Sequence, residues 1–316
     1  MATADEYKAY YKKHQLDFIK LTDRQERELA RLYVQTAADI KARAADIINQ
    51  KGLTTAQAKI RVNSLLREAA RLSDNFKSLL DKSLIETANL STEVNKIIMG
   101  GYQAALKKEG VNLNLLKILN KVSPEAVKAV YNRIWTDGLK LSDRIWLLDR
   151  RTKQEIERIV MQNIISGGSA SNKVTLSALE NLLNPGYTPA KLTSLHGRKV
   201  GYEASRLLRT STSEAFNEGD RLSNNANPGV SDTLWLAAAG CCDICASNDG
   251  KSVKEVGYPP AHPNERCTTE SVVQSVDDFT NKWIDFMDNP DKYPKYQDWL
   301  MNVYRPVTQG QNWNMM

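Results

Sequence analysis

A mainly α-helical fold with a small α+β module toward the C-terminus is what this sequence predicts, on three observations. Apolar residues recur at three- and four-residue steps through most of the first half of the chain, the period of helices that bury one face. Strand-like runs are confined to Thr233–Ala237 and to Thr268–Val273. All four cysteines, with one of the three histidines, lie between those two runs. The expected architecture is a set of long antiparallel helices followed by a β-hairpin element stapled by a Cys/His cluster. In chain order this gives an elongated helical region over 1–150, a module over 151–275 and an aromatic-acidic tail over 276–316.

Composition bounds the reading. A chain of 316 residues, 41% hydrophobic and 25% charged, can bury a substantial core in two domains or one long one. No apolar run approaches the length of a bilayer span, and the opening Met-Ala-Thr-Ala-Asp-Glu lacks a signal peptide's basic and apolar regions, so a cytoplasmic origin without membrane contact is expected. The net charge of +6 comes from basic residues interleaved with acidic ones, which reads as a solvated helical surface more than a phosphate-binding patch.

The elements follow in order. Thr22-Asp23-Arg24-Gln25 has capping-box form, and Leu29, Tyr33, Thr36, Ile40, Ala44 and Ile47 then make one apolar stripe that Lys51-Gly52 stops. Thr54-Thr55-Ala56-Gln57 opens a second helix whose stripe runs through Ile60, Leu65, Ala69, Leu72, Phe76, Leu79 and Leu80, pairing antiparallel with the first. Val94, Ile97, Ile98 and Tyr102 carry a third to Lys108-Glu109-Gly110. Ser123-Pro124-Glu125 starts a fourth that runs toward Asp137-Gly138. Thr152-Lys153-Gln154-Glu155 caps the next, through Ile156, Ile159, Val160 and Ile164 to Gly167-Gly168-Ser169. A short helix carries Leu176, Leu179 and Leu183 to Asn184-Pro185-Gly186, the chain resumes after Thr188-Pro189, and a helix from Arg209 ends at Asn217-Glu218-Gly219.

The cysteine stretch reads Cys241-Cys242-Asp243-Ile244-Cys245, then Asp249-Gly250, then Tyr258-Pro259-Pro260-Ala261-His262-Pro263, closing at Arg266-Cys267. Two residues between thiolates let both sulfurs turn toward one point, and His262 and Cys267 could complete a tetrahedral set of zinc type with Cys242 and Cys245. A full set leaves no position for water, so the metal would be structural. Plain reduced thiols and a disulfide stand beside zinc as readings of the same cysteines. Asp249-Gly250 signals a tight turn between two strand-like limbs, and the prolines would stiffen the limb presenting His262.

This stretch resembles the signature of the bacteriophage head-morphogenesis family, the Mu F-like minor head proteins: Cys-x-x-Cys, a nearby Asp-Gly, then Pro-Pro-x-His-Pro-x-Cys-Arg-Cys. The matching positions are Cys242, Cys245, Asp249, Gly250, Pro259, Pro260, His262, Pro263, Arg266 and Cys267. Glu265 stands where the family has the first cysteine of Cys-Arg-Cys, which leaves Cys267 or Glu265 as last ligand and Cys241 as an extra thiol. A second family feature, an Arg-Thr-Glu-Thr-like helix followed by Ala-x-Asn-x-Gly, is matched at Arg209, Thr210, Asn217 and Gly219, with Ser211 in place of the glutamate and Glu214 one turn on. The resemblance implies a minor head protein of a tailed phage that associates with the portal protein during assembly, with scaffolding or major capsid protein and packaged DNA as further partners. It implies a place in the virion, inside the capsid near the portal, after assembly in the host cytoplasm, and a role in DNA packaging or ejection.

Two other classes fit parts of the sequence. A zinc-stabilised nucleic-acid-binding module would want a basic face at the cysteines, yet Lys251, Lys254 and Arg266 are balanced by Asp243, Asp249, Glu255 and Glu265. An enzyme is not expected. No phosphate loop or nucleophile elbow is present, His14 and His196 sit in ordinary surroundings, and only His262 with Cys267 mimics a base and nucleophile. The tail, rich in Phe279, Trp283, Phe286, Tyr293, Tyr296, Trp299, Tyr304 and Trp313, either wraps back over the domain or docks a partner through aromatic anchors.

Overall fold

The computed structural model describes residues 4–50, 52–166, 172–184 and 200–308. Within them the chain is mainly helical, with one two-stranded antiparallel sheet. Helix α1, Ala4–Ile48, is uninterrupted. The box expected at Thr22 therefore starts nothing: Thr22 is 1% exposed and its hydroxyl donates to Ile19 O at 3.0 Å. The cause lies upstream, where Tyr7, Tyr11, His14 and Phe18 are buried on the same helical steps that lead on to Leu29, Tyr33 and Ile40. A threonine on that buried face bonds back to a carbonyl of the preceding turn instead of capping.

Helix α2, Thr55–Ser91, does begin at a formed capping box, after Gly52 turns the chain at φ +79. Gln57 N–H donates to Thr54 Oγ1 at 3.3 Å, and Thr54 N–H donates to Gln57 Oε1 at 3.0 Å. Its buried stripe uses Ala58 and Val62 ahead of Leu65, Ala69, Leu72, Phe76 and Leu80, which leaves Ile60 70% exposed. Tyr33 meets Phe76 edge-on, Arg43 pairs with Glu68, and Lys82 pairs with Glu28, so the two helices run antiparallel over these segments.

Helices α3 (Glu93–Lys108), α4 (Leu116–Leu119), α5 (Val122–Asn132), α6 (Leu141–Ile165) and α7 (Asn172–Leu183) follow. The start expected at Thr152 is again interior to a helix: Thr152 is buried, and its hydroxyl donates to Leu148 O at 2.7 Å. Helix α5 stops at Asn132, before Ile134, because Trp135 N–H turns to Leu139 O and Arg144 lies over the Trp135 ring. Gly167-Gly168-Ser169, Pro185-Gly186, Thr188-Pro189 and His196 lie outside the described residues.

Helix α8, Val200–Ala226, runs past the stop expected at Gly219. A Cβ at Gly219 would fall 2.0 Å from Ser91 Oγ, so this glycine permits a close helix approach and does not end the helix. Strands β1 (Val230–Leu236) and β2 (Thr268–Val273) pair antiparallel, with Leu234 opposite Glu270 and Trp235 opposite Thr269. The limbs flanking Asp249-Gly250 are helical, not strand-like: α9 (Asp243–Asn248) precedes the turn and α10 (Val253–Val256) follows it. Gly250 takes φ +75 as a turn glycine should, but the turn feeds a short segment that bonds the second edge of β1, Trp235 N–H to Lys251 O and Gly250 N–H to Trp235 O.

The tail packs inward. Helices α11 (Val276–Asp288), α12 (Pro294–Trp299) and α13 (Arg305–Thr308) bring Phe279, Trp283, Phe286, Tyr296, Trp299 and Tyr304 into one core with residues of α1, α3 and α4. Phe279 stacks on Tyr102 with centroids 4.0 Å apart, and Trp299 Nε1 donates to Ala226 O at 2.9 Å. Trp313 lies outside the described residues.

Two compact units result: unit one comprises Met1–Thr22, Leu84–Val130 and Thr210–Met316, and unit two comprises Asp23–Ser83 and Tyr131–Arg209. They follow contacts rather than chain order and cut across the regions 1–150, 151–275 and 276–316. Among the described residues, no helix is long and apolar enough to cross a membrane.

Candidate metal centre

The cysteine stretch belongs to unit one. Cys242 precedes the first turn of α9 with an extended backbone, and Cys245 lies within that turn, which brings their sulfurs to 3.7 Å. The chain then passes α10, Gly257 and a cis Pro259-Pro260 bond to reach His262. His262 Nε2 stands 3.1 Å from Cys242 Sγ and 3.3 Å from Cys245 Sγ. Its Nδ1 is 3.0 Å from Pro263 O. A carbonyl can only accept, so the neutral ring carries its proton on Nδ1 and turns the Nε2 lone pair toward the two sulfurs.

Cys267, just before β2, is fully buried, and its sulfur accepts the Ala238 N–H at 3.4 Å. The residues expected to form one quartet come together as two trios sharing Cys245. One is Cys242, Cys245 and His262; the other is Cys245, Glu265 and Cys267, with the donor atoms of each trio within 4.8 Å of one another. Cys241 belongs to neither.

Glu265 joins the two trios. One carboxylate oxygen accepts the Ala261 N–H at 2.6 Å and the His262 N–H at 3.2 Å, and stands 3.8 Å from His262 Nε2. The other oxygen is buried without a hydrogen-bond partner. Where the family signature has a cysteine, this chain has a carboxylate that clamps the loop presenting His262. The notion of His262 as base to Cys267 is not the pairing that forms, since Nε2 faces Cys242 and Cys245.

Electrostatics follow from burial. The Cys245 N–H and the neighbouring helix-start N–H groups hold the exposed Cys242 thiol down to about 7. Burial pushes the Cys245 thiol well up and the Cys267 thiol up to about 11, and the charge of Glu265 adds to both. The buried Glu265 carboxylate, with one oxygen lacking a partner beside two buried sulfurs, is costly unless a cation offsets it. A divalent ion does so, because it favours the thiolates and accepts the lone pair. The cluster could hold a metal ion.

The helix motif reaches the same place. Thr210 Oγ1 accepts the Asn264 N–H at 3.2 Å, and Asn217 Nδ2 donates to Cys267 O at 3.1 Å. Asp249 Oδ1 accepts the Ala237 N–H at 2.8 Å, fixing the Gly250 turn to the end of β1. Arg209 instead forms a bidentate ion pair with Glu26 inside unit two. Pro259, Pro260, Pro263 and the half-buried Arg266 lie on the loop between α10 and Cys267.

Sequence reasoning missed Asp220. It is 1% exposed, accepts the Thr269 hydroxyl, and has a second oxygen without a partner; burial raises its carboxyl to about 7. Asp220 follows Asn217 by one turn on the face of α8 that meets β2, and nothing in the sequence marks that face. Compared with family models, curated proteins and solved structures, the chain matches none.

Proposed function

We propose that this chain is a minor head protein of a tailed bacteriophage, which associates with the portal protein during head assembly and acts in DNA packaging or delivery from the capsid interior near the portal. The observation that carries this reading is the meeting of the two motif runs. Asn217 of the Ala-x-Asn-x-Gly helix donates to the carbonyl of Cys267, the last residue of the Cys/His signature, 50 residues on. Runs that are separate in sequence thus form one structural module, as a family signature held by a shared fold would require. In this reading the module is a docking unit, which is supported by His262 facing the sulfurs and by one oxygen of Glu265 holding the backbone N–H groups of the loop.

In this reading the metal is zinc, held by Cys242, Cys245, His262 and Cys267, with Glu265 orienting the His262 loop from outside the ligand set. When bound, the ion supplies a cross-link between α9, the His262 loop and the start of β2, and no reactivity. A basic face at the cysteines, which a nucleic-acid-binding zinc module would need, is missing from the local charge.

The test is co-elution of the full chain with the portal protein of its phage on a sizing column under reducing conditions. A shifted peak containing both chains in fixed ratio is the expected result. Independent elution at micromolar concentrations of each would overturn portal association.

A further inference from the structure

Away from the Cys/His cluster, unit one encloses a second group of buried polar atoms. Helices α1 and α8 pack side by side where Phe216 meets His14 and Phe18, with ring centroids 5.0 and 4.3 Å apart. One turn further along each helix stand Tyr11 and Asp220, both in unit one. Strand β2 closes the third side. Thr269 and Ser271, two residues apart and both buried, share one face of the strand, and the Thr269 hydroxyl donates to Asp220. The Tyr11 hydroxyl stands beside Ser271 and within the field of the Asp220 carboxylate. Tyr11, Asp220 and Ser271 are each more than nine-tenths buried, yet the Tyr11 hydroxyl, Asp220 Oδ1 and Ser271 Oγ close no hydrogen bond. The Ser223 hydroxyl, one turn along α8 from Asp220, is likewise buried without one.

Such atoms are costly together unless something satisfies them, and their chemistry narrows what does. All are oxygens, which suit a hard cation and give a soft metal no ligand. The one formal charge is the carboxylate, and among the described residues it forms no ion pair: the adjacent Arg221 takes Glu218, and Lys8 takes Glu270. Burial pushes the Tyr11 phenol up, so it remains a neutral oxygen donor. One carboxylate among neutral hydroxyls offsets one positive charge. Calcium gathers about six to eight oxygens, and magnesium keeps several of its waters, so neither suits this small buried set as a monovalent ion does.

We propose that Tyr11, Asp220 and Ser271 form a buried site for a monovalent cation of the sodium or potassium class, which ties α1 and α8 to β2. The ion takes the place of the proton that Asp220 otherwise keeps, because burial raises its carboxyl to about 7. The groups facing that carboxyl are Thr269 on β2, Tyr11 on α1 and Tyr258 on the loop after α10, all uncharged near neutral pH. The site is separate from the Cys/His cluster and from portal association, and stands or falls apart from both.

The test is the thermal midpoint of the full chain at about pH 8, with zinc present throughout, in chloride salts of sodium, potassium or tetramethylammonium at one ionic strength. Tetramethylammonium is too bulky for a buried site. Sodium or potassium in its place should raise the midpoint saturably by about 2 °C or more, as a ligand bound only by the native state does. At about pH 5, where Asp220 holds its proton, the rise should largely vanish. Asp220→Asn should abolish the response, and Tyr11→Phe should raise the half-saturating concentration several-fold. Asp277→Asn, which removes an exposed carboxylate of the same unit, should leave the response unchanged. Should Asp220→Asn fail to fold by far-UV circular dichroism, Tyr11→Phe carries the test. Equal midpoints in the three salts would overturn the proposal and leave a proton or a bound water to satisfy these atoms. So would a response that survives unchanged in either site variant, which would put the ion elsewhere.

Discussion

Asp220 shows how a single side chain can set a property of the whole fold. Its carboxyl titrates near 7 in the native state because burial disfavours the charge, against an ordinary value of 3.8. The native state then keeps a proton that the unfolded chain gives up between those values. This contribution to stability is fully present below about pH 4 and is lost as pH rises through about 7. Its size is on the order of 4 kcal/mol. The Asp220→Asn variant should lack this slope. Urea midpoints of parent and variant, measured from pH 4 to 8, should diverge as pH rises, and parallel curves would refute the assignment. At this scale the sequence was half legible. Cys242, Cys245 and His262 announce themselves by spacing, and the structure brings them together. Glu265 and Asp220 do not, because the partners that give them meaning are backbone N–H groups of a folded loop and a hydroxyl 49 residues away.

At the scale of elements, three threonines followed by a glutamine or glutamate three residues on look alike, yet only Thr54 caps a helix. What separates it is Gly52, which turns the chain just before it; Thr22 and Thr152 sit on stripes that extend on both sides, and their hydroxyls bond upstream carbonyls. Local pattern finds the helices but overcounts their ends. The helical glycines make the same point about context, and they give a paired test. Gly100, in α3, has nothing within 4 Å of an added Cβ, so Gly100→Ala should stabilise by up to about 1 kcal/mol from helix propensity alone. Gly219 has the Ser91 Oγ at 2.0 Å and the Ser91 Cβ at 3.1 Å, so the clash should outweigh that gain and Gly219→Ala should destabilise by about 1–2 kcal/mol. Thermal midpoints of the two variants should move in opposite directions. A rise in both would show that α8 and α2 do not approach as closely as described.

Across the whole molecule, chain order is a poor guide to organisation. Helices α1, α2 and α8 each contribute residues to both compact units, and no composition shift along the sequence marks where one unit's share ends. The aromatic tail was legible as apolar material in need of burial, but not its destination, because Tyr7, Tyr102 and Tyr296 meet only after the chain has closed. What the sequence did carry through is the fold class and the meeting of Cys242, Cys245 and His262, with Cys267 beside Cys245. The central claim is that this cluster holds one metal ion that staples unit one. Native mass spectrometry of the freshly purified full chain, before and after a chelator, tests it directly. The expected result is one zinc per chain with all four cysteines reduced, and on chelation a fall in thermal midpoint of about 3 °C or more, as a loss of roughly 2 kcal/mol would give at this size. A metal-free chain whose midpoint is indifferent to the chelator would contradict the account.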